Sequence, residues 1–97
     1  MIYLKKYNLS DEDLQEIYDS LSDENWYNIT TYQSRVCDLL DYFKSIGITN
    51  FKDIFLTKPN IFYKNAKEMR KYIEDSNISD LIDKINEDAI NFDLIGF

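Results

Sequence analysis

Ile29, Tyr32, Val36, Leu40, Phe43 and Ile46 recur at intervals of three and four residues, and Leu39 widens the stripe. An α-helix gathers such positions onto one face, whereas a strand would scatter them over both. The middle of the chain is therefore constrained to be helical, and whatever surrounds it must cover that stripe. The spacing predicts a helix over residues 31–46, capped by Thr30 or Thr31. Gly47 is placed to stop it in a left-handed turn.

The same period extends outward in both directions. Leu14, Ile17, Tyr18 and Leu21 mark one side of a helix over residues 11–21. Ser10, with Asp13 three residues on, is a weakened capping box at its start, and the acids of the first turn suit the positive end of the helix dipole. Residues 25–29 read as a short helical turn with Trp26 folded onto the core. Thr49 opens a shorter helix carrying Phe51, Ile54 and Phe55, which must end near Thr57 because Pro59 disfavours helical backbone at Lys58. Pro59 then begins another short turn through Ile61 and Phe62. Asn65 is the expected cap of a helix that turns Ala66, Met69, Tyr72 and Ile73 inward. Ser79 is the expected cap of a last one, with Leu81, Ile82 and Ile85 inward. The apolar segment 89–97 packs back as a final turn or helix.

Period-two alternation is confined to Phe92-Asp93-Leu94. With two glycines, one proline and no long polar tract, no interdomain linker is legible. The expectation is an all-α fold over residues 1–97, a compact bundle or short stack of five to six helices in one domain. A hydrophobic fraction of 44% is ample for a core, so global disorder is excluded.

Much chemistry is missing. The chain has no histidine, which removes the usual general base near neutral pH. One cysteine, Cys37, leaves no intramolecular disulfide, no common zinc set and no cysteine–histidine nucleophile pair. Cys37 adjoins the apolar stripe and reads as a buried, inert thiol. No glycine-rich phosphate loop is available, because the two glycines are Gly47 and Gly96. Asp11-Glu12-Asp13 lacks the glycine and the twelfth-position glutamate of a calcium loop. Neither enzymatic activity nor a cofactor or metal is expected. No apolar run reaches the roughly 18 residues of a membrane span. The first residues do not resemble a signal peptide, so the expected location is the cytoplasm. The Asn, Ile, Lys, Asp and Tyr bias suits an AT-rich genome, such as that of a bacterium or its phage.

Charge is the feature with functional content. Between Ser10 and Glu24 stand seven carboxylates and no lysine or arginine. On one continuous helix Glu12, Glu16, Asp19 and Asp23 would fall within about 60° of one another, with axial rises of about 6, 4.5 and 6 Å. That spacing is comparable to the separation of backbone charges in DNA. Glu24 and Tyr27 extend this candidate partner-binding surface, since an exposed tyrosine beside acids is common where proteins meet. Tyr27, Tyr42 and Tyr63 fit the apolar stripes less well than the other tyrosines. A second, basic patch comprises Lys58, Lys64, Lys67, Arg70 and Lys71, with Lys52 nearby. The net charge of −7 opposes free nucleic acid and anionic membrane as partners.

From Leu39 to Asn65 the chain reads LLDYFKSIGITNFKDIFLTKPNIFYKN. This resembles the helical repeat of the mitochondrial transcription termination factor family, in which a Leu-rich helix, a Gly-Leu/Phe turn and a Pro-containing helix recur. Leu40, Phe43, Gly47, Ile48, Ile54, Pro59 and Ile61 occupy the matching places. The resemblance implies a helix-turn-helix stack and, where the groove is basic, a grip on nucleic acid. In size and style of charge the chain is also similar to small acidic anti-CRISPR and other DNA-mimicking phage proteins. Three readings stand together. The first is a protein-binding inhibitor or adaptor whose acidic helix docks on a basic surface, such as that of a nucleic-acid enzyme. The second is a helical-repeat nucleic-acid binder using residues 58–71. The third is a self-associating module in which the acidic helix of one copy meets the basic patch of another.

Overall fold

The structure is a computed structural model that describes residues 2–63 and 66–97. Among these residues the fold is all-α, with six α-helices, three 3-10 helices and no strand. In chain order they are η1 (Ile2–Tyr7), α1 (Asp11–Ser20), α2 (Asp23–Thr31), α3 (Gln33–Ile46), α4 (Phe51–Thr57), η2 (Pro59–Tyr63), α5 (Ala66–Asp75), α6 (Ile78–Glu87) and η3 (Ala89–Ile95).

Local chemistry accounts for the boundaries. Ser10 and Asp13 form a complete capping box. The Ser10 Oγ accepts from the Asp13 amide at 3.1 Å, and the Asp13 carboxylate accepts from the Ser10 amide at 3.0 Å. α1 stops at Ser20 because Leu21 turns extended (φ −75°, ψ 139°) and a second capped helix begins directly. The Ser22 Oγ accepts from the Asn25 amide at 3.1 Å, so the expected short turn over 25–29 is a full helix, α2. Thr30 and Thr31 belong to its last turn and do not cap α3. The Thr30 hydroxyl donates back to the Trp26 carbonyl at 2.8 Å. Tyr32 (φ −102°, ψ 49°) is the single residue at which the chain bends from α2 into α3. α3 ends as expected. Gly47 sits at φ 101°, and the Ile48 amide donates to the Phe43 carbonyl at 2.9 Å across the turn.

α4 begins at Phe51 behind Asn50, two residues later than Thr49, whose amide instead donates to the Asn86 side chain at 3.0 Å. Pro59 opens η2 where a turn is expected. Asn65, the expected cap of α5, lies outside the described residues. α6 starts at Ile78 with Asn77 in the cap position, which puts Ser79 inside the first turn instead of before it. The ambiguous Phe92-Asp93-Leu94 stretch is part of η3, which the Asp88 carboxylate opens by accepting from the Ile90 amide at 3.1 Å.

One apolar cluster joins all nine elements. α3 lies at its centre and turns Val36, Leu39, Leu40 and Phe43 inward. Phe43 packs on Phe92 of η3, with centroids 5.5 Å apart, and Phe55 of α4 stacks on Phe62 of η2 at 4.4 Å. No polar or charged residue is buried among the described residues. The N-terminal turn η1 belongs to this core through Leu4 and Tyr7, although no helical stripe marks it in the sequence. Its tyrosines pin it: the Tyr3 hydroxyl donates to the Ile29 carbonyl at 2.7 Å and the Tyr7 hydroxyl to Asp41 at 2.8 Å. Burial pushes both hydroxyls well above the ordinary tyrosine value, and for Tyr7 the Asp41 hydrogen bond adds to the effect.

Three tyrosines expected inside are about half exposed: Tyr18, Tyr32 and Tyr72. Each rests its ring against a neighbour, and the Tyr72 hydroxyl also donates to Glu68 at 3.5 Å. Tyr18 meets Trp26 edge-on at 4.5 Å, Tyr72 leans on Phe97 at 5.8 Å, and Tyr32 carries the Arg35 guanidinium at 5.5 Å. An aromatic position on an apolar stripe can satisfy the period and still face solvent.

Candidate functional site

The acidic segment is folded into two helices, not one. The break at Leu21 and Ser22 puts Glu12, Glu16 and Asp19 on α1 and Asp23, Glu24 and Tyr27 on α2. The four-rung carboxylate ladder that a continuous helix would have built is therefore absent. Its cause is Ser22: a second N-cap, with two acids behind it in the first turn, favours a new helix start over continuation of the old one.

On α1 the carboxylates divide further. Lys52 of α4 reaches between Asp13 and Glu16, with its Nζ 3.2 Å from the former and 2.9 Å from the latter. These two acids hold α1 on α4. The Asp13 carboxyl is held below the ordinary value of 3.8, first by the Ser10 amide and then by Lys52. Lys52 is correspondingly raised above 10.5, chiefly by Glu16 and then by Asp13. Glu16 thus serves the fold. Asp19 accepts from Gln15 on its own helix at 2.9 Å, and Glu12 projects into solvent.

α2 presents the more coherent surface. Ile29 is fully buried on its inner side. At 100° per residue Asp23, Tyr27 and Glu24 share the opposite side, with Tyr27 between the two acids. Tyr27 is 61% exposed, the largest exposure of any large apolar side chain among the described residues. Neither Asp23 nor Glu24 has a lysine or arginine within ion-pair distance among those residues. The Tyr18–Trp26 contact ties the end of α1 to this helix, so Tyr18 lies close by at 50% exposure.

The basic residues are placed differently. Lys58 forms an ion pair with Asp93 of η3 and keeps only 16% of its side chain exposed. Arg70 lies over the Tyr42 ring at 4.5 Å. Lys67 and Lys71 are exposed on α5, where Glu68, Glu74 and Asp75 are interspersed, and Lys64 lies outside the described residues. Lys58 and Arg70, both expected nucleic-acid contacts, are thus engaged within the fold. Tyr42 is half-buried and its hydroxyl finds no hydrogen-bond partner among the described residues, while the side chain of Tyr63 lies outside them. Burial raises the Tyr42 hydroxyl, with Glu74 adding to the rise and Arg70 opposing it.

Cys37 is partly covered on α3 and packs against the core. Among the described residues, no group of three or more carboxylate or cysteine side chains could hold a metal ion. No helix there is long and apolar enough to cross a membrane.

No family model matches the chain, and neither curated proteins nor solved structures gave a significant match.

Sequence reasoning missed the roles of Lys52 and Ser22. The signal for Ser22 was present in Ser22-Asp23-Glu24: a serine followed by two acids is a helix start. Nothing local pairs Lys52 with a helix some forty residues upstream.

Proposed function

We propose that this chain is a protein-binding inhibitor or adaptor that docks on a basic surface through α2 and the exposed side of α1. The observation that carries the reading is Tyr27, 61% exposed and set between two carboxylates that no cation of the described fold answers. An exposed aromatic supplies contact area at low entropic cost, and unpaired acids around it select a cationic partner and speed encounter. Within this reading the partner is a nucleic-acid enzyme. Its anion-binding channel would supply the positive charge, as it does for the acidic phage inhibitors that the chain is similar to in size and charge. With the ladder broken at Leu21, such docking depends on a patch of charge and a tyrosine anchor, not on a copy of the phosphate spacing.

The test uses tagged protein and nuclease-treated lysate of its host, eluted by a salt gradient. Wild type is expected to retain a nucleic-acid enzyme and release it at moderate salt, because exposed charge pairs are screened. A combined variant carrying Glu12→Lys, Asp19→Lys, Asp23→Lys and Glu24→Lys, with an unchanged circular dichroism spectrum, is expected to retain none. Retention that survives this charge reversal, or recovery of the tagged protein alone, overturns the reading.

A further inference from the structure

No further inference is drawn: the strongest candidate, the open cavity of about 450 Å³ that Thr30, Tyr32, Ser34 and Arg35 line where α2 bends into α3, rests on a helix N-terminus alone, since no buried, unpartnered side chain among the described residues aims into it.

Discussion

Two tyrosines show how one hydroxyl can have opposite value in the same fold. The Tyr3 hydroxyl donates to the Ile29 carbonyl, whereas the Tyr42 hydroxyl is buried with no partner among the described residues. Removing a satisfied hydrogen bond costs about 1 kcal/mol, and removing an unsatisfied buried group costs nothing or stabilises. Tyr3→Phe is therefore expected to lower stability by about 1 kcal/mol, read as a lower urea midpoint, and Tyr42→Phe to leave the midpoint unchanged or raise it. A Tyr42→Phe variant less stable than Tyr3→Phe would contradict this assignment. Asp13 makes the pH-dependent case. Its folded value lies below 3.8, so its contribution is complete above the ordinary carboxylate range and is lost as pH falls through the lowered value. In an NMR titration Asp13 is expected to titrate below 3.8 in wild type and to move upward in Lys52→Met, which removes its cationic partner, whereas Ser10→Ala keeps the amide that lowers it most. Ser10→Ala is expected to destabilise the protein by about 1 kcal/mol through loss of the cap. An unshifted Asp13 in Lys52→Met would leave the ion pair with α4 without its electrostatic role.

Capping decides where α1 and α2 begin and where α3 ends. The acidic residues 11–24 could have formed one continuous helix; Ser22 and the extended Leu21 divide them between α1 and α2. At the other end of the core helix, Gly47 occupies the left-handed region at φ 101°, and an added Cβ would meet only ordinary contact with Ile82 at 3.7 Å. The cost of Gly47→Ala is then a backbone cost of about 1 kcal/mol, with no steric component. Denaturant unfolding is expected to return that value with an unchanged m. A much larger loss would mean that the 47–49 turn, which Asn86 of α6 also grips through the Gly47 carbonyl at 2.9 Å, is coupled to the docking of α6.

A net charge of −7 on a molecule with a Cα radius of gyration of 12.7 Å places unlike demands on fold and function. The radius agrees with the ~12.5 Å of a compact chain of this length. The apolar cluster thus holds the chain together against its own repulsion. Raising the salt concentration from low ionic strength is expected to raise the melting temperature. Reversing Asp23 and Glu24 to lysine is expected to flatten that dependence, and to lower stability by about 1 kcal/mol because both acids sit in the first turn of α2, at the positive end of its dipole. A melting temperature that falls with salt would show that ion pairs such as Lys52 with Asp13 and Glu16 outweigh the repulsion. The all-α class, the core face of α3, the Gly47 stop and the break before Pro59 were all legible in the sequence. Each follows from interactions within a few residues: helical period, capping, the fixed φ of proline and the freedom of glycine. Tertiary structure alone decided that η1 is a core element and that Glu16 answers Lys52 while Asp23 and Glu24 have no cation partner among the described residues. It also decided that Lys58 is tied to Asp93 and that three of the inward-reading tyrosines lie at the surface. Those outcomes depend on which elements meet across long stretches of chain. Periodicity reports the face a residue occupies on its own helix, but not the neighbour that covers it.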